Sequence, residues 1–215
     1  MEKKIITDFY QTVVTIRPET KACLNDYKNG NCVTIALIKA ALVQFSSIED
    51  IFTSYEEDLE RIQVTFKDGY TLSTNVADFE IVRNISGIKK IEGSLYYETA
   101  IKLYAIIAKR IYLQKENYSK KCIHSFKHAV EYLNSGYSTG IAYKLLALGK
   151  KKIKIKKIKN YKSVIIRSGA HASYCSYGLQ DIMGKEAKIK RVGFFSWMKN
   201  PIGVGGIIKE AYILK

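Results

Sequence analysis

Proline occurs only twice in 215 residues, and no Ser/Gly-rich stretch interrupts the chain, so nothing marks a flexible linker or a pair of independent modules. Cysteine occurs four times, at Cys23, Cys32, Cys122 and Cys175, without a CxxC pair. That is too few for a disulfide scaffold of this length, and reduced thiols are the default. No apolar run approaches the ~18 residues of a membrane span. The opening MEKKIITDFY lacks the apolar stretch and small-residue cleavage site of a secretory signal. These absences lead us to expect a soluble, cytoplasmic protein. The signature of disorder is missing as well, because 47% of residues are apolar and 12% aromatic. A single globular domain over residues 1–215, or two tightly packed lobes, is expected.

Charge is present in excess but unevenly. Counting along the chain, residues 1–107 carry 12 Lys/Arg against 15 Asp/Glu, and residues 108–215 carry 23 against 5. The halves therefore stand at −3 and +18, which sum to the overall +15. A basic C-terminal half of this kind suits an acidic protein or polyanion as partner, or a solvated lysine-rich surface. Its densest part, KKKIKIKKIKNYK from Lys150 to Lys162, alternates Lys with Ile over part of its length and predicts an edge strand with lysines outward. Tyr161 is its only aromatic residue, so base stacking is poorly provided for.

Periodicity orders the rest. TVVTI at 12–16 predicts a short strand before Pro18. NGNCVTIALIKAALVQF predicts a helix starting near Asn29 to Asn31, with Asn or Gly as cap. Its apolar residues cover nearly the whole circumference, interrupted by Thr34, Lys39 and Gln44, and a helix apolar all round is a buried one. ERIQVTFKDGYTLST alternates on both sides of Asp68-Gly69 and predicts a hairpin. Three- and four-residue spacing predicts a helix over Leu95–Leu113, and further helices over Ile123–Leu133 and Thr139–Leu148, stopped by Gly149. Strands follow in KIKIKKIK, SVIIRSG, AHASYCSYGL, AKIKRVGFFSWMKNP and IIKEAYIL. Helices and a hairpin first, strands afterwards, predict an α+β fold.

One side chain combines reactivity with position. Cys32 falls in the first turn of the buried helix, where the helix dipole favours thiolate. A thiolate nucleophile needs an imidazole to exchange protons with and a group to orient that imidazole. His171 begins a predicted strand after a Gly-containing turn, and Asn200 follows another strand in MKNPIG. The competing cluster is Cys122-Ile-His124-Ser-Phe-Lys-His128, whose two histidines share a helix face at four-residue spacing. No fourth ligand stands at metal-site spacing, and no metal or cofactor is expected.

These motifs, in this order, resemble those of papain-fold cysteine peptidases, and the calpain-like branch most. DYKNGNCVTIAL is similar to the family's QGxxGDCW, with Gly30 and Cys32 matching; AHASYC is similar to GHAYSV around His171, and KNPIG to RNPWG around Asn200. VTFKDGYTLS and SLYYETAIKLY resemble intermediate segments of the same family, so the likeness spans roughly residues 25 to 205. The resemblance implies a papain-like two-lobed fold with a helical lobe over about 20–149 and a strand-rich lobe over about 150–215, the latter joined by strands from 1–20 and 60–75. It implies a thiol protease, a hydrolase performing proteolysis on protein or peptide substrates, with Cys32, His171 and Asn200 as catalytic triad. Where the family carries an oxyanion Gln, this chain has Asp26, which cannot donate when ionised. Asn25 or Asn29 is then the candidate oxyanion donor. Val33 and Ile202 replace two family tryptophans. The same chemistry serves deamidases, transglutaminases and acyltransferases, and a catalytically inactive basic binding module for an acidic protein or nucleic acid is the reading from another class.

Overall fold

The computed structural model describes residues 5–11, 30–114, 123–134, 142–168, 171–189 and 208–215. The predicted strand at 12–16 lies outside them. Four α-helices are described: α1 (Cys32–Phe45), α2 (Val76–Ile85), α3 (Tyr97–Leu113) and α4 (Phe126–Leu133). Eleven strands accompany them: β1 (Phe9–Gln11), β2 (Ser54–Glu57), β3 (Arg61–Thr65), β4 (Thr71–Asn75), β5 (Ile88–Lys90), β6 (Lys150–Lys152), β7 (Val164–Ser168), β8 (His171–Ser176), β9 (Leu179–Ile182), β10 (Lys185–Lys188) and β11 (Ile208–Leu214). The α+β reading stands, since helices dominate up to residue 134 and strands after 150.

Helix α1 is the axis of the molecule. Every residue from Val33 to Leu42 is buried, as an all-round apolar sequence requires. It lies against β8, with further contacts to β7 and β11 on one side and to α3 on the other. The helix ends where Ser46 turns left-handed at φ 71, its N–H donating to Leu42 O at 3.0 Å. The cap at its start differs from expectation. Asn31 occupies the N-cap position but makes no side-chain cap; its Nδ2 donates instead to Ser86 O at 2.5 Å.

The strands fall into three antiparallel sheets. β3 and β4 form the predicted hairpin, with Gly69 at φ +82 in its turn, and β2 extends it to a three-stranded sheet. β1 pairs with β5. The large sheet runs β10-β9-β8-β7-β11-β6 and is drawn entirely from Lys150 onward. The described strands from 1–20 and 60–75 do not pair into that sheet; β1 pairs with β5, and β3 and β4 pair with each other. The sheet's two faces carry different cores. Ile165, Ala172, Tyr174, Tyr212 and Leu214 join the main core with α1, while Val164, Ile166, Cys175 and Ala211 join a smaller cluster with Ile153 and Ile158.

Three sequence expectations change in extent or type. The Lys-Ile run supplies an edge strand only over Lys150–Lys152, and then becomes a 3-10 helix over Ile155–Asn160 that buries Ile158 under the small cluster. Ile at 153, 155 and 158 does not hold the strict two-residue period that a longer strand needs. The helix expected over Thr139–Leu148 is a 3-10 helix at Ala142–Leu146, with 139–141 outside the described residues. The strand expected over 187–201 is described only as the end of β10, and residues 190–201 lie outside the described ones. Helix α2 escaped the periodicity reading, although its signal was present. Asn75 accepts from Asp78 N–H and Asp78 accepts from Asn75 N–H, at 3.0 and 3.2 Å, completing a capping box.

The one cation inside the axis, Lys39, has 0% side-chain exposure and donates to Asp181 Oδ2 of β9 at 2.8 Å. Its ammonium also lies 4.6 Å above the Phe9 ring, and Gly184 N–H donates to the other Asp181 oxygen at 2.9 Å. Burial pushes the Lys39 pKa down and the Asp181 pKa up, and each partner opposes that shift in the other. Removing one member leaves a buried unpaired charge, which costs far more than removing both. Asp181→Leu is expected to lose about 3–5 kcal/mol of stability, and Lys39→Met/Asp181→Leu to regain most of it. Urea denaturation of the two variants beside the parent protein checks this.

Candidate active site

Several hydrogen bonds fasten the start of α1 to two other helices. Gly30 N–H donates to Asn134 O at 2.7 Å, and Thr34 Oγ1 to Leu133 O at 3.4 Å, both at the end of α4. Asn134 Nδ2 reaches Ile85 O at 2.8 Å, beside the Asn31–Ser86 bond, and Asn134 Oδ1 accepts from Tyr104 of α3 at 2.5 Å. Cys32, the first residue of α1, is half-buried on this fixed base.

On the sheet side, the Cys32 thiol meets the backbone N–H of Ala172, the residue after His171. The pairing pattern explains why that N–H is available. The β8–β9 hairpin closes at Ser176↔Leu179 around Tyr177-Gly178, so Ser176 turns its backbone groups toward β9. Alternation along the strand turns Tyr174 and Ala172 the same way. β9 pairs with β8 only at Cys175 and Ser176, and the Ala172 N–H is left for the sulfur. Cys32 thus sits at the sheet's edge rather than over either face.

That placement matters for His171. By strand alternation its side chain starts on the face of Ser173 and Cys175, opposite the face that α1 covers. His171 is half-buried, and its Nε2 is buried with no hydrogen-bond partner among the described residues. Cys32 is thus placed beside the residue that follows His171, while the His171 side chain starts on the opposite face of the sheet. The third expected member, Asn200, and the expected oxyanion donors Asn25 and Asn29, with Asp26, lie outside the described residues.

The electrostatics correct one expectation. Burial pushes the Cys32 thiol up from its ordinary range, and this outweighs the N–H groups of Ala172, Val33 and Cys32 itself, which favour thiolate. Burial likewise pushes the His171 imidazole down. Both shifts favour the uncharged forms, against the thiolate that the helix dipole favours.

The other candidates are explained structurally. Cys175 is buried in the small cluster and its pKa is pushed up to about 12. His128 N–H donates to the N-cap Ser125 at 3.2 Å, and His128 Nδ1 accepts from His124 N–H at 3.3 Å. The two rings meet edge to face at 5.9 Å. No group of three or more metal-ligating side chains occurs among the described residues; Cys122 lies outside them. Asn31, expected only as a helix cap, is fully buried beside Cys32, and its Oδ1 has no hydrogen-bond partner among the described residues. Comparison with protein-family models, curated proteins and solved structures gives no match for this chain.

Two pH effects follow. Alkylation of Cys32 by iodoacetamide should rise steadily toward and beyond pH 9.0, the ordinary thiol value; a flat rate down to acid pH would instead indicate a thiolate–imidazolium pair. For His171 the folded pKa lies below the ordinary 6.5, so below that pH the unfolded chain binds the proton first. Stability should then fall as pH drops below about 6.5, by less in His171→Gln, as read from urea midpoints across pH.

Proposed function

We propose that this chain is a cysteine peptidase of papain-like, calpain-like type, acting through Cys32, His171 and Asn200. The observation that carries the reading is the contact of the Cys32 sulfur, at the start of a buried helix, with the backbone N–H next to His171. A central helix carrying the Cys against an antiparallel sheet carrying the His is also the arrangement that the papain-like resemblance implies.

In the proposed reaction the imidazole of His171 takes the thiol proton as the Cys32 sulfur bonds to a substrate carbonyl carbon. The resulting oxyanion accepts from Cys32 N–H and from the Asn25 or Asn29 amide. Collapse breaks the C–N bond, and the imidazolium gives its proton to the leaving amine. Water, deprotonated by His171, then attacks the thioester, and the sulfur leaves with a proton returned. Asn200 accepts the Nε2–H of His171 and holds the base in the tautomer whose other nitrogen is free. Burial that favours the uncharged thiol and imidazole fits this order, since the proton moves during attack. An amine in place of water would give transglutaminase or acyltransferase chemistry with the same residues. Free thiols suit a reducing cytoplasm; among the described residues no helix is long and apolar enough to cross a membrane.

A peptidyl epoxide or vinyl sulfone tests the reading. Mass analysis should find Cys32 modified at least about 100-fold faster than the other three cysteines, with His171→Ala removing that selectivity, in keeping with the weight of general base catalysis. Equal labelling of all four thiols would refute it.

A second reading is favoured by the exposed lysines of β6 and the following 3-10 helix. Lys151, Lys152, Lys154, Lys156, Lys157 and Lys159 are exposed, and no acidic residue interrupts them in sequence. In this reading the protein binds an acidic protein or polyanion through that surface, with or without catalysis. Retention on heparin should then fall steeply with salt, and replacing Lys154, Lys156, Lys157 and Lys159 by Gln should flatten the slope by up to about four, roughly one per phosphate-like contact.

A further inference from the structure

Ser168 and His171 are directly opposed across the β7–β8 pair and so project from the same face at the same level. Ser168 is 3% exposed, and among the described residues its buried hydroxyl has no hydrogen-bond partner; His171 Nε2 is in the same state. Buried polar atoms are nearly always satisfied, and two unsatisfied ones on one level of one face call for a shared explanation. The neighbouring level is already closed, because Gln180 Nε2 donates to Ser173 Oγ at 2.7 Å. Directly opposed Cβ atoms stand about 5 Å apart, a span that one small group can bridge if it accepts at one end and donates at the other. A side-chain amide has both ends, and so does a water molecule.

We infer that Ser168 is a positioning residue for His171: its hydroxyl anchors the group that accepts the His171 Nε2–H, and so holds the imidazole in the tautomer that leaves Nδ1 free to take the Cys32 proton. The inference rests on the reading of His171 as the base. It adds a member to the site that no motif names, since Ser168 stands in RSGAH only as the residue before the turn. Ser168 touches no reacting atom. It acts by fixing the far side of the ring, because an unheld imidazole divides between two tautomers and several orientations, of which one serves. Asn200 carries an amide of the required kind, and a bridging water would serve the same geometry.

The test separates the hydroxyl from packing by comparing Ser168→Thr with Ser168→Val, two variants of nearly equal shape that differ in that hydroxyl. The full chain carries 15N-labelled histidine, and the His171 ring signals are assigned by their loss in His171→Gln. Long-range proton–nitrogen spectra then report the tautomer, and labelling of Cys32 by a peptidyl epoxide reports reactivity. The parent and Ser168→Thr should show the Nε2–H tautomer and labelling rates within about threefold of each other. Ser168→Val should show mixed tautomers and label about tenfold more slowly, the loss expected for one hydrogen bond. Wild-type tautomer and rate in Ser168→Val would overturn the inference, and equal damage in both variants would reduce Ser168 to packing. If the spectra respond but no substrate is cleaved, the peptidase reading falls while the Ser168 contact stands. If His171→Ala abolishes Cys32 labelling but Ser168→Val changes nothing, the reverse holds.

Discussion

The burial of α1 on all sides sets the terms for the rest of the molecule. A helix with ten consecutive buried residues cannot be covered by one neighbour, because side chains around the full turn need apolar partners. The chain meets this with two layers: α3 and its neighbours on one side and the six-stranded sheet on the other. The start of such a helix is then held by what surrounds it. Here the ends of α2 and α4 supply carbonyls to Asn31, Gly30 and Thr34, and β8 supplies an N–H to Cys32.

Lys39 shows what this burial costs and how the cost is offset. An ammonium taken wholly from water is tolerable only when paired and hydrogen-bonded, and Asp181 with Gly184 and the Phe9 ring meets that need. The pair also joins α1 to β9, the strand that stops pairing with β8 before Ala172. The ion pair and the exposed backbone group thus lie on successive strands against one helix. The same burial raises the Cys32 thiol pKa and lowers that of the imidazole. A low-polarity edge discourages charge separation at rest and strengthens any stabilisation offered to charge that develops during reaction.

The surface divides along the chain as the composition does. Exposed lysines gather on β6 and the following 3-10 helix, whereas the acidic residues of the first half are partly engaged locally, as in Arg61–Asp58 at 3.3 Å and Arg83–Glu80 at 2.8 Å. Such exposed pairs contribute little to stability. The lysines of β6 stand at one edge of the large sheet, separated from β8 and His171 by β11 and β7, and Lys152 lies 3.9 Å from Glu210.

By itself the sequence determined the α+β class, the extent of α1 and its burial, the Asp68-Gly69 hairpin and α3, because each is written in a local period or a turn dipeptide. It also singled out Cys32 and His171, through a helix start and a glycine-containing turn. What it could not hold is any property that depends on a partner distant along the chain. The Lys39 interruption was visible, but Asp181, which makes it tolerable, stands 142 residues away. The pairing that leaves Ala172 N–H to the sulfur, the opposition of Ser168 and His171, and the shifts of thiol and imidazole toward their uncharged forms all arise from register and burial. The helix start made Cys32 a candidate through a local dipole; only the tertiary structure set burial against that dipole, and left the Ala172 N–H to the sulfur where β9 leaves β8.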